Sequence, residues 1–479
     1  MIRLLTGYLR LSTRELLLLV ILFTCSLPAV TARLYSSDEV EYYSYLRSLW
    51  FDHDVSFENE YQYFYDHRIA QSEDFHRTFL ELSTPAGRRI NYGTLGCAVL
   101  WSPFYAVADG GVRVARALGA EVPADGYSRP YVAAVAYGSA CYGFAAILLG
   151  IAAARRLLGA AAMRAGLAVW AGTPILFYMY IAPPFSHACS AFAVALFVTI
   201  WLHVRDAWSP RGAAALGLSG ALVAMVREQD ALFVLAPALD FLLTAVQAGA
   251  GRRARLASHP IATAAAGCLA FAVGYAPQLL AYQALNGRPR PSELVTRKMD
   301  WLSPHALQVL ASPEHGFLIW TPLAALALAG LVRLALRGEP DRRRIGTFLL
   351  LMAALQVYVS GAVASWTVAG AFGQRRFVAL TLILVVGLAA LGDAARTPVR
   401  RTALAVAMAV CVWWNVALMA EFGTRLMDRQ RLEPRRNAYD AFVTLPRLAP
   451  DLASRYLLRR SSFYQPAAPA APDPPEEGR

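Results

Sequence analysis

Residues 16–45 read LLLLVILFTCSLPAVTARLYSSDEVEYYSY, an apolar run followed at once by three carboxylates among tyrosines. The run from Leu16 to Val30 continues toward Tyr35, which gives it about the length that a helix needs to cross a bilayer. Acidic groups near a bilayer are costly and tend to mark a function. The junction therefore predicts a membrane protein with chemistry at one membrane face.

The first apolar run has two interpretations. Arg3, Arg10 and Arg14 precede it, and Val30 and Ala32 are small residues of the kind found at a signal-peptide cleavage site. We expect an uncleaved first helix, because cleavage there would detach the acidic stretch from its membrane anchor.

The composition agrees with a membrane protein. The chain has 479 residues, of which 57% are hydrophobic and 16% charged, whereas soluble domains carry about 25% charged residues. Its net charge of +12 is typical of arginine-rich cytoplasmic loops, and no nucleic-acid-binding motif is present. The six cysteines have no metal-ligand spacing and are predicted to be small core residues.

Further apolar segments follow, so we expect an all-α polytopic membrane protein of about eleven transmembrane helices, with a helical outer-face subdomain from the first loop. The expected spans after the first cover residues 130–153, 165–181, 187–204, 212–226, 231–247, 261–283, 316–336, 346–364, 376–394 and 402–421.

Arginine placement predicts the orientation, since cytoplasmic loops are enriched in positive charge. With a cytoplasmic N-terminus, every inside loop is arginine-rich, and the 36–128 segment, the 286–315 loop and the C-terminus lie outside. The site would then face the periplasm or exterior of a bacterial inner membrane. The arginines of the outer C-terminal segment are the exception: Arg425, Arg429, Arg431, Arg435 and Arg436.

The chain divides into three predicted parts. Residues 1–422 form a transmembrane domain that includes the large 36–128 loop, and residues 423–464 form an outer-face segment. Residues 465–479 are rich in proline and alanine, which predicts a disordered tail.

The acidic stretch supplies the first candidate site residues. On a helix, Asp38, Tyr42 and Tyr45 share one face. Ser36 and Glu39 also fit a capping box, in which case the acids only begin an interfacial helix. These residues alone fit both interpretations.

Arginines supply the second candidate set. Arg375 and Arg376 follow a glycine-rich turn, where guanidinium groups suit a phosphate, although arginines at helix ends also extend to lipid headgroups. Arg227 begins the segment Arg-Glu-Gln-Asp, which fits a self-neutralising hairpin tip as well as a site. His187 and His315 are helix-end hydrogen-bonding groups or substrate contacts. No HxH or HExxH spacing supports a metal, and the sequence leaves a divalent cofactor open.

The order of these motifs resembles the GT-C superfamily of membrane glycosyltransferases, in particular bacterial relatives of dolichyl-phosphate-mannose protein mannosyltransferases and the lipid A aminoarabinose transferase. The resemblance covers nearly the whole chain to about residue 422. Its motifs are Ser37-Asp38-Glu39, Gly93-Thr94-Leu95-Gly96 with Leu100-Trp101-Ser102-Pro103-Phe104-Tyr105, Pro184-Phe185-Ser186-His187, Val226-Arg227-Glu228-Gln229-Asp230, His315-Gly316-Phe317-Leu318-Ile319-Trp320-Thr321-Pro322 and Phe372-Gly373-Gln374-Arg375-Arg376-Phe377.

The resemblance implies a polyprenyl-phosphate-linked sugar donor, a cavity between the first outer loop and the bilayer, and an acidic catalytic base at the position of Asp38. The His-Pro-Pro-type motif and the lumenal sugar-binding repeats of the eukaryotic enzymes are absent, so a protein acceptor is not implied. A second, metal-holding acid has no clear place among Glu58, Glu60, Asp66 and Glu81.

These residues suit inverting transfer of a sugar to a lipid, glycan or protein acceptor. Asp38, with Glu39 beside it, would take the acceptor proton, and Arg375, Arg376 and Arg227 would hold the departing phosphate. Tyr42, Glu41, His187 and His315 are candidate substrate contacts. The rival predictions are a lipid or sugar transporter or flippase, which would need polar groups at mid-span and symmetric halves, and a non-catalytic subunit of an envelope-glycan assembly.

Overall fold

A computed structural model of the protein describes residues 11–159, 161–249, 259–368 and 370–463. This part of the chain is helical and contains no strand, only isolated bridges between Ser83 and Arg89 and between Met299 and Val363. The helices of the first half are α1 (Thr13–Ser26), α2 (Ser37–Arg47), α3 (Glu58–Asp66), α4 (Gly96–Ala117), α5 (Arg129–Leu158), α6 (Ala162–Gly172), α7 (Ile175–Tyr180), α8 (His187–Val204) and α9 (Pro210–Val226).

The second half continues the bundle and ends in short helices. A 3₁₀ turn (Glu228–Val234) leads into α10, and another (Arg375–Leu380) leads into α15. The helices are α10 (Leu235–Gly249), α11 (Pro260–Asn286), α12 (Ala306–Ala311), α13 (Pro322–Arg337), α14 (Pro340–Ala362), α15 (Thr381–Ala394), α16 (Pro398–Thr424), α17 (Pro434–Tyr439) and α18 (Leu445–Leu458).

Seven helices in the described residues are long and apolar enough to cross a membrane. They are α5, α8, the segment Glu228–Gln247, α11, α14, the segment Arg375–Ala394 and α16. The other expected spans coincide with shorter or broken helices: α1, α6 with α7, α9, and α13. The expectation of a multi-pass helical membrane protein is therefore confirmed at this coarser level.

Helix α15 forms the centre of the bundle, with almost every side chain buried from Thr381 to Ala390. It packs against α5 and α13. The contact with α13 is very close, because a Cβ added to Gly330 would lie 1.9 Å from the carbonyl oxygen of Gly387. Small residues at such positions let membrane helices approach backbone to backbone. This packing fixes the start of α15 and with it the preceding 3₁₀ turn, where Arg375 and Arg376 lie.

Helix α2 is anchored to the first loop by aromatic side chains. The hydroxyl of Tyr43 donates to the carbonyl oxygen of Gly126 at 2.6 Å, and that of Tyr105 donates to the same oxygen at 3.0 Å. The ring of Tyr43 also meets Phe64 edge-on, with 5.9 Å between centroids. Buried hydroxyls with a partner and T-shaped ring pairs stabilise a rigid arrangement, so α2 presents its acids from a fixed position.

The C-terminal segment lies at the end of the bundle that carries α2, which we call the α2 end. Tyr456 donates to the carbonyl oxygen of Ala29 at 2.8 Å, and Arg460 donates to that of Val30 at 2.9 Å. Leu432 donates to the carbonyl oxygen of Pro313 at 3.0 Å. The arginines after residue 424 thus share this end with the first loop. The predicted disordered tail, 465–479, lies outside the described residues.

The cysteine prediction is partly wrong. Cys97 and Cys189 are buried as expected, but Cys25 and Cys268 are exposed on α1 and α11. An apolar helix face directed at lipid needs no buried partner, and a small apolar thiol is accommodated there.

Candidate functional site

The beginning of α2 has the capping box that the sequence predicts. The backbone N–H of Glu39 donates to the hydroxyl of Ser36, and a carboxylate oxygen of Glu39 accepts from the N–H groups of Tyr35 and Ser36 at 2.8 and 3.1 Å. The side chain is fully buried. Burial raises the pKa of Glu39 to about 8. Its hydrogen bonds make Glu39 the cap of α2.

Glu41 is turned away from Asp38 toward the first loop. Its carboxylate accepts from the backbone N–H of Tyr92 at 2.7 Å, and its carbonyl oxygen accepts from the side chain of Asn91 at 3.0 Å. Burial and the charge of Asp38 raise its pKa to about 8. Glu41 thus ties the loop to α2.

Asp38 makes the contact that defines the site. Its carboxylate lies 2.6 Å from a guanidinium nitrogen of Arg375, and 39% of its side chain remains exposed. The guanidinium carbon of Arg375 also lies 5.5 Å from the centre of the Phe185 ring. The predicted base and the predicted phosphate-binding group, 337 residues apart in the sequence, therefore meet directly.

Arg376 lies behind this pair and is 7% exposed. Its guanidinium donates to the carbonyl oxygen and to the hydroxyl of Ser365, both at 3.1 Å. Within the described ranges no carboxylate oxygen lies within 4.0 Å of it. The interpretation of Arg376 as a headgroup contact is therefore wrong, because the side chain points into the protein.

Arg227 reaches the same site from the end of α9. One guanidinium nitrogen donates to the hydroxyl of Ser186 at 3.1 Å and to Nδ1 of His187 at 3.2 Å, and another donates to Gln229 at 3.0 Å. Asp230 comes only to 3.9 Å and accepts from Ser190 at 2.5 Å.

Close packing holds Arg227 in place. A Cβ added to Gly96 would lie 2.4 Å from the backbone nitrogen of Val226, and the hydroxyl of Thr94 donates to the carbonyl oxygen of Val226 at 3.0 Å. The segment Gly93–Gly96 and the end of α9 thus form one rigid wall.

The charges of the site do not balance. The charges of Arg227, Arg375 and Arg376 all act on the buried ring of His187. Their carboxylate neighbours are Asp38 and, at the longer distance, Asp230. The cluster therefore carries excess positive charge, which favours an anionic ligand.

Tyr42 and Tyr178 complete the surroundings. Tyr42 is one turn after Asp38 and lies against Ser186 and Arg227. The ring of Tyr178 lies 4.5 Å from that of His187, and its hydroxyl donates to the carbonyl oxygen of Phe372 at 3.2 Å.

A cavity of about 520 Å³ lies next to the α2 cap, and its lining includes Ser36 and also Phe185, the ring beside the guanidinium of Arg375. Aromatic side chains form much of its wall. Three arginines also line it, Arg33, Arg425 and Arg429. The other lining side chains that bear on the site are Phe177, Tyr178, Phe185, Phe372, Phe422, Tyr456 and Phe463.

Two predicted candidates lie apart from this cluster. His315 is fully buried, its Nε2 lies 2.8 Å from the carbonyl oxygen of Ala371, and its ring stacks on Trp320 at 4.7 Å. It supports the turn before Arg375. Glu228 accepts from Tyr275 at 3.0 Å and Tyr282 at 2.6 Å, so within the Arg-Glu-Gln-Asp segment it is Asp230, 3.9 Å from Arg227, that offsets the arginine charge.

The sequence analysis missed Tyr178, Ser365 and the aromatic wall. Phe185 stands in a quoted motif, which was the only available signal. Tyr178 and Ser365 belong to separate elements whose approach depends on packing, and nothing local in the sequence marks them.

Among the described residues, no group of three or more His, Cys, Asp or Glu side chains is placed to hold a metal ion.

Comparison with known proteins adds no family assignment to this geometry. No protein-family model matches the chain. None of the curated proteins has significant similarity to it either, so any functional conclusion depends on the residues themselves.

Proposed function

We propose that the protein is an inverting glycosyltransferase that moves a sugar from a polyprenyl-phosphate donor to an acceptor hydroxyl. The observation that carries this proposal is the contact of 2.6 Å between Asp38 and Arg375, beside two further arginines and an aromatic cavity. A base next to a set of phosphate-binding cations is the combination that such a transfer needs.

The reaction requires one displacement. The acceptor oxygen forms a bond to the anomeric carbon while the bond from that carbon to the phosphate oxygen breaks. Asp38 takes the proton of the acceptor hydroxyl, and the polyprenyl phosphate leaves as an anion held by Arg375, Arg376 and Arg227. A single displacement inverts the anomeric centre.

The pair of Asp38 and Arg375 also suggests how donor binding prepares the base. While Arg375 donates to Asp38, one oxygen of the carboxylate that would take the acceptor proton is occupied by the guanidinium. A donor phosphate competes for the guanidinium, since both oxyanions match its planar fork. Asp38 is then released for the acceptor only when the donor is in place, which limits wasteful hydrolysis.

The cavity supports a lipid-linked donor over a soluble nucleotide sugar. Its aromatic walls, which include Phe177, Phe185 and Phe372, suit the first isoprene units of a polyprenyl chain. The remaining chain would continue into the bilayer.

We further propose the finer topology of about eleven spans, with α2 and the 286–315 loop in an outer-face layer of a bacterial inner membrane. Single cysteines at exposed positions of 36–128 and 286–315, on a cysteine-free background, should react with an impermeant maleimide in intact spheroplasts. Reaction only after lysis would contradict this orientation.

The decisive experiment for the function is a transfer assay with purified protein in liposomes, using a panel of radiolabelled polyprenyl-phospho-sugars. We expect radiolabel in a product that no longer extracts with the donor lipid, together with free polyprenyl phosphate. Movement of intact donor to the other leaflet without cleavage would favour the flippase, and neither activity would favour an assembly subunit.

A further inference from the structure

The loop between α11 and α12, residues 287–305, forms a basic surface beside the site. Between residues 288 and 298 it has four cations and a single acid. Glu293 lies 2.6 Å from Arg288, 3.6 Å from Arg290 and 3.4 Å from Arg297. One carboxylate cannot neutralise three guanidinium groups, so the loop carries excess positive charge.

Lys298 is the cation of this loop that lies nearest to α2, and it is the only lysine in the sequence. The side chain is exposed, and its ammonium lies 4.8 Å above the centre of the Tyr92 ring. Tyr92 in turn donates its backbone N–H to Glu41, one helical turn after Asp38. No carboxylate of the described residues lies within 4.0 Å of the ammonium.

The backbone of this loop is fixed in position. The N–H of Ala364 donates to the carbonyl oxygen of Lys298, and that of Asp300 donates to the carbonyl oxygen of Ala362, both at 2.7 Å. Residues 362–364 lead directly to Ser365, the partner of Arg376. Lys298 is therefore held in a constant relation to the arginine cluster.

An open cavity of about 250 Å³ lies between this loop and residues 83–90, and it is lined by Thr84, Arg288 and Arg297. Arg288 and Arg297 thus line a different cavity from the aromatic one, whose lining includes Phe185, the ring beside Arg375.

We propose that this loop binds an anionic group, a phosphate or a carboxylate, on the acceptor, with Lys298 as the contact nearest to Asp38. This inference rests on the proposed function, because the acceptor is a substrate of the proposed transfer. In the proposed function the donor phosphate is already held by Arg227, Arg375 and Arg376. The ammonium of Lys298, which lies over an aromatic face with no carboxylate of the described residues within 4.0 Å, attracts an oxyanion approaching from water.

The single lysine allows a direct test. The protein in phosphatidylcholine nanodiscs is treated with sulfo-NHS-acetate, and the acetylation rate of Lys298 is measured by peptide mass spectrometry, which separates it from the N-terminal amine. Inorganic pyrophosphate should slow this rate roughly threefold or more, the size expected for a partly exposed ion pair. Sodium chloride at equal ionic strength should not.

The matched control has its only lysine elsewhere. Arg77 is exposed and paired with Asp74, so R77K in a K298R background gives a single lysine near an acid. Equal slowing at both positions, or no slowing at Lys298, would overturn the proposal. If phosphatidylglycerol in the nanodisc slows the acetylation of Lys298 without pyrophosphate, the anion is a lipid headgroup. If pyrophosphate alone slows the acetylation, the anion belongs to a soluble acceptor.

A transfer assay separates this inference from the proposed function. If transfer occurs, Lys298→Ala should raise KM for an anionic acceptor with little change for the donor, and Lys298→Arg should restore most of the loss. An unchanged acceptor KM would overturn the inference while leaving the function intact. If no donor supports transfer but Lys298 is protected specifically, the glycosyltransferase proposal fails and the anion-binding loop stands.

Discussion

The two ends of the helix bundle use the same residue types for opposite purposes. At the α2 end, Asp38 is partly exposed and meets one of three arginines. At the far end, Asp240 is 1% exposed and lies 3.1 Å from Arg205 and 2.6 Å from Arg344. Helix α8 connects the two clusters, since Arg205 follows His187 by 18 residues, roughly 27 Å along a helix.

The far cluster is closed and nearly neutral. Asp240 also accepts from the indole of Trp201 at 3.0 Å, and Arg205 takes a second acid, Asp341, at 3.0 Å. Two aspartates thus match two arginines. At the α2 end positive charge is in excess and an aromatic cavity opens beside it. The comparison indicates that unbalanced charge next to accessible space, and not a buried ion pair as such, distinguishes a binding site from a structural tie.

The largest effect should come from Asp38→Asn. The amide keeps the size of the side chain and still accepts from Arg375, but it cannot take a proton. Transfer should fall by about 10²–10⁴-fold, as for loss of a general base, with folding and donor binding retained.

The control for Asp38 is Glu39→Gln, which keeps an oxygen for the N–H groups of Tyr35 and Ser36. It should cost about 1 kcal/mol of stability or less and leave turnover near that of the wild type. An active Asp38→Asn variant beside an inactive Glu39→Gln variant would mean that the base has been misassigned.

Asp240→Asn should break the far cluster and spare the reaction. Removing the charge of Asp240 leaves the buried Arg205 and the partly exposed Arg344 without full compensation, which costs about 3–5 kcal/mol. The measurement is the free energy of unfolding in mixed micelles, together with turnover per folded molecule. Normal stability combined with lost turnover would contradict the assignment of a structural role to the far end and a binding role to the α2 end.

Arg375→Ala and Arg376→Ala should each weaken donor binding by about ten- to a hundredfold, which corresponds to roughly 1.5–3 kcal/mol for one charge-assisted hydrogen bond. Lysine at either position should restore only part of the affinity, because a point charge lacks the planar fork. Binding of a fluorescent polyprenyl phosphate gives the dissociation constant. Full affinity in both alanine variants would remove the phosphate role.

The last prediction concerns the pH dependence of stability. The pKa values of Glu39 and Glu41 are raised to about 8 in the folded protein from about 4.3 in an unfolded chain. Between these values the folded state binds more protons, so stability is greatest at low pH and falls as pH rises toward 8. Thermal unfolding from pH 5 to 9 should show this decline, and the double variant E39Q/E41Q should flatten it. An identical slope in both proteins would refute the assignment.

The sequence predicted what depends on local pattern. The apolar runs indicated the helices, and Ser36 with Glu39 indicated the cap of α2. It also placed Asp38 and Arg375 in separate motifs of one proposed site. It did not reveal that they touch, since that contact depends on how α15 packs against α5 and α13. Tyr178 and Ser365 were missed for the same reason, and the interpretation of Arg376 as a headgroup contact failed because burial is a property of the packed bundle.

The contact of Tyr456 and Arg460 with residues 29 and 30 has a consequence for biosynthesis. Leu452, Tyr456 and Phe463 form part of the wall of the aromatic cavity, and they are among the last described residues to leave the ribosome. The first helix is synthesised more than four hundred residues before the part of the wall that packs beside it. The wall of the cavity is therefore complete only in a chain whose synthesis has passed residue 463.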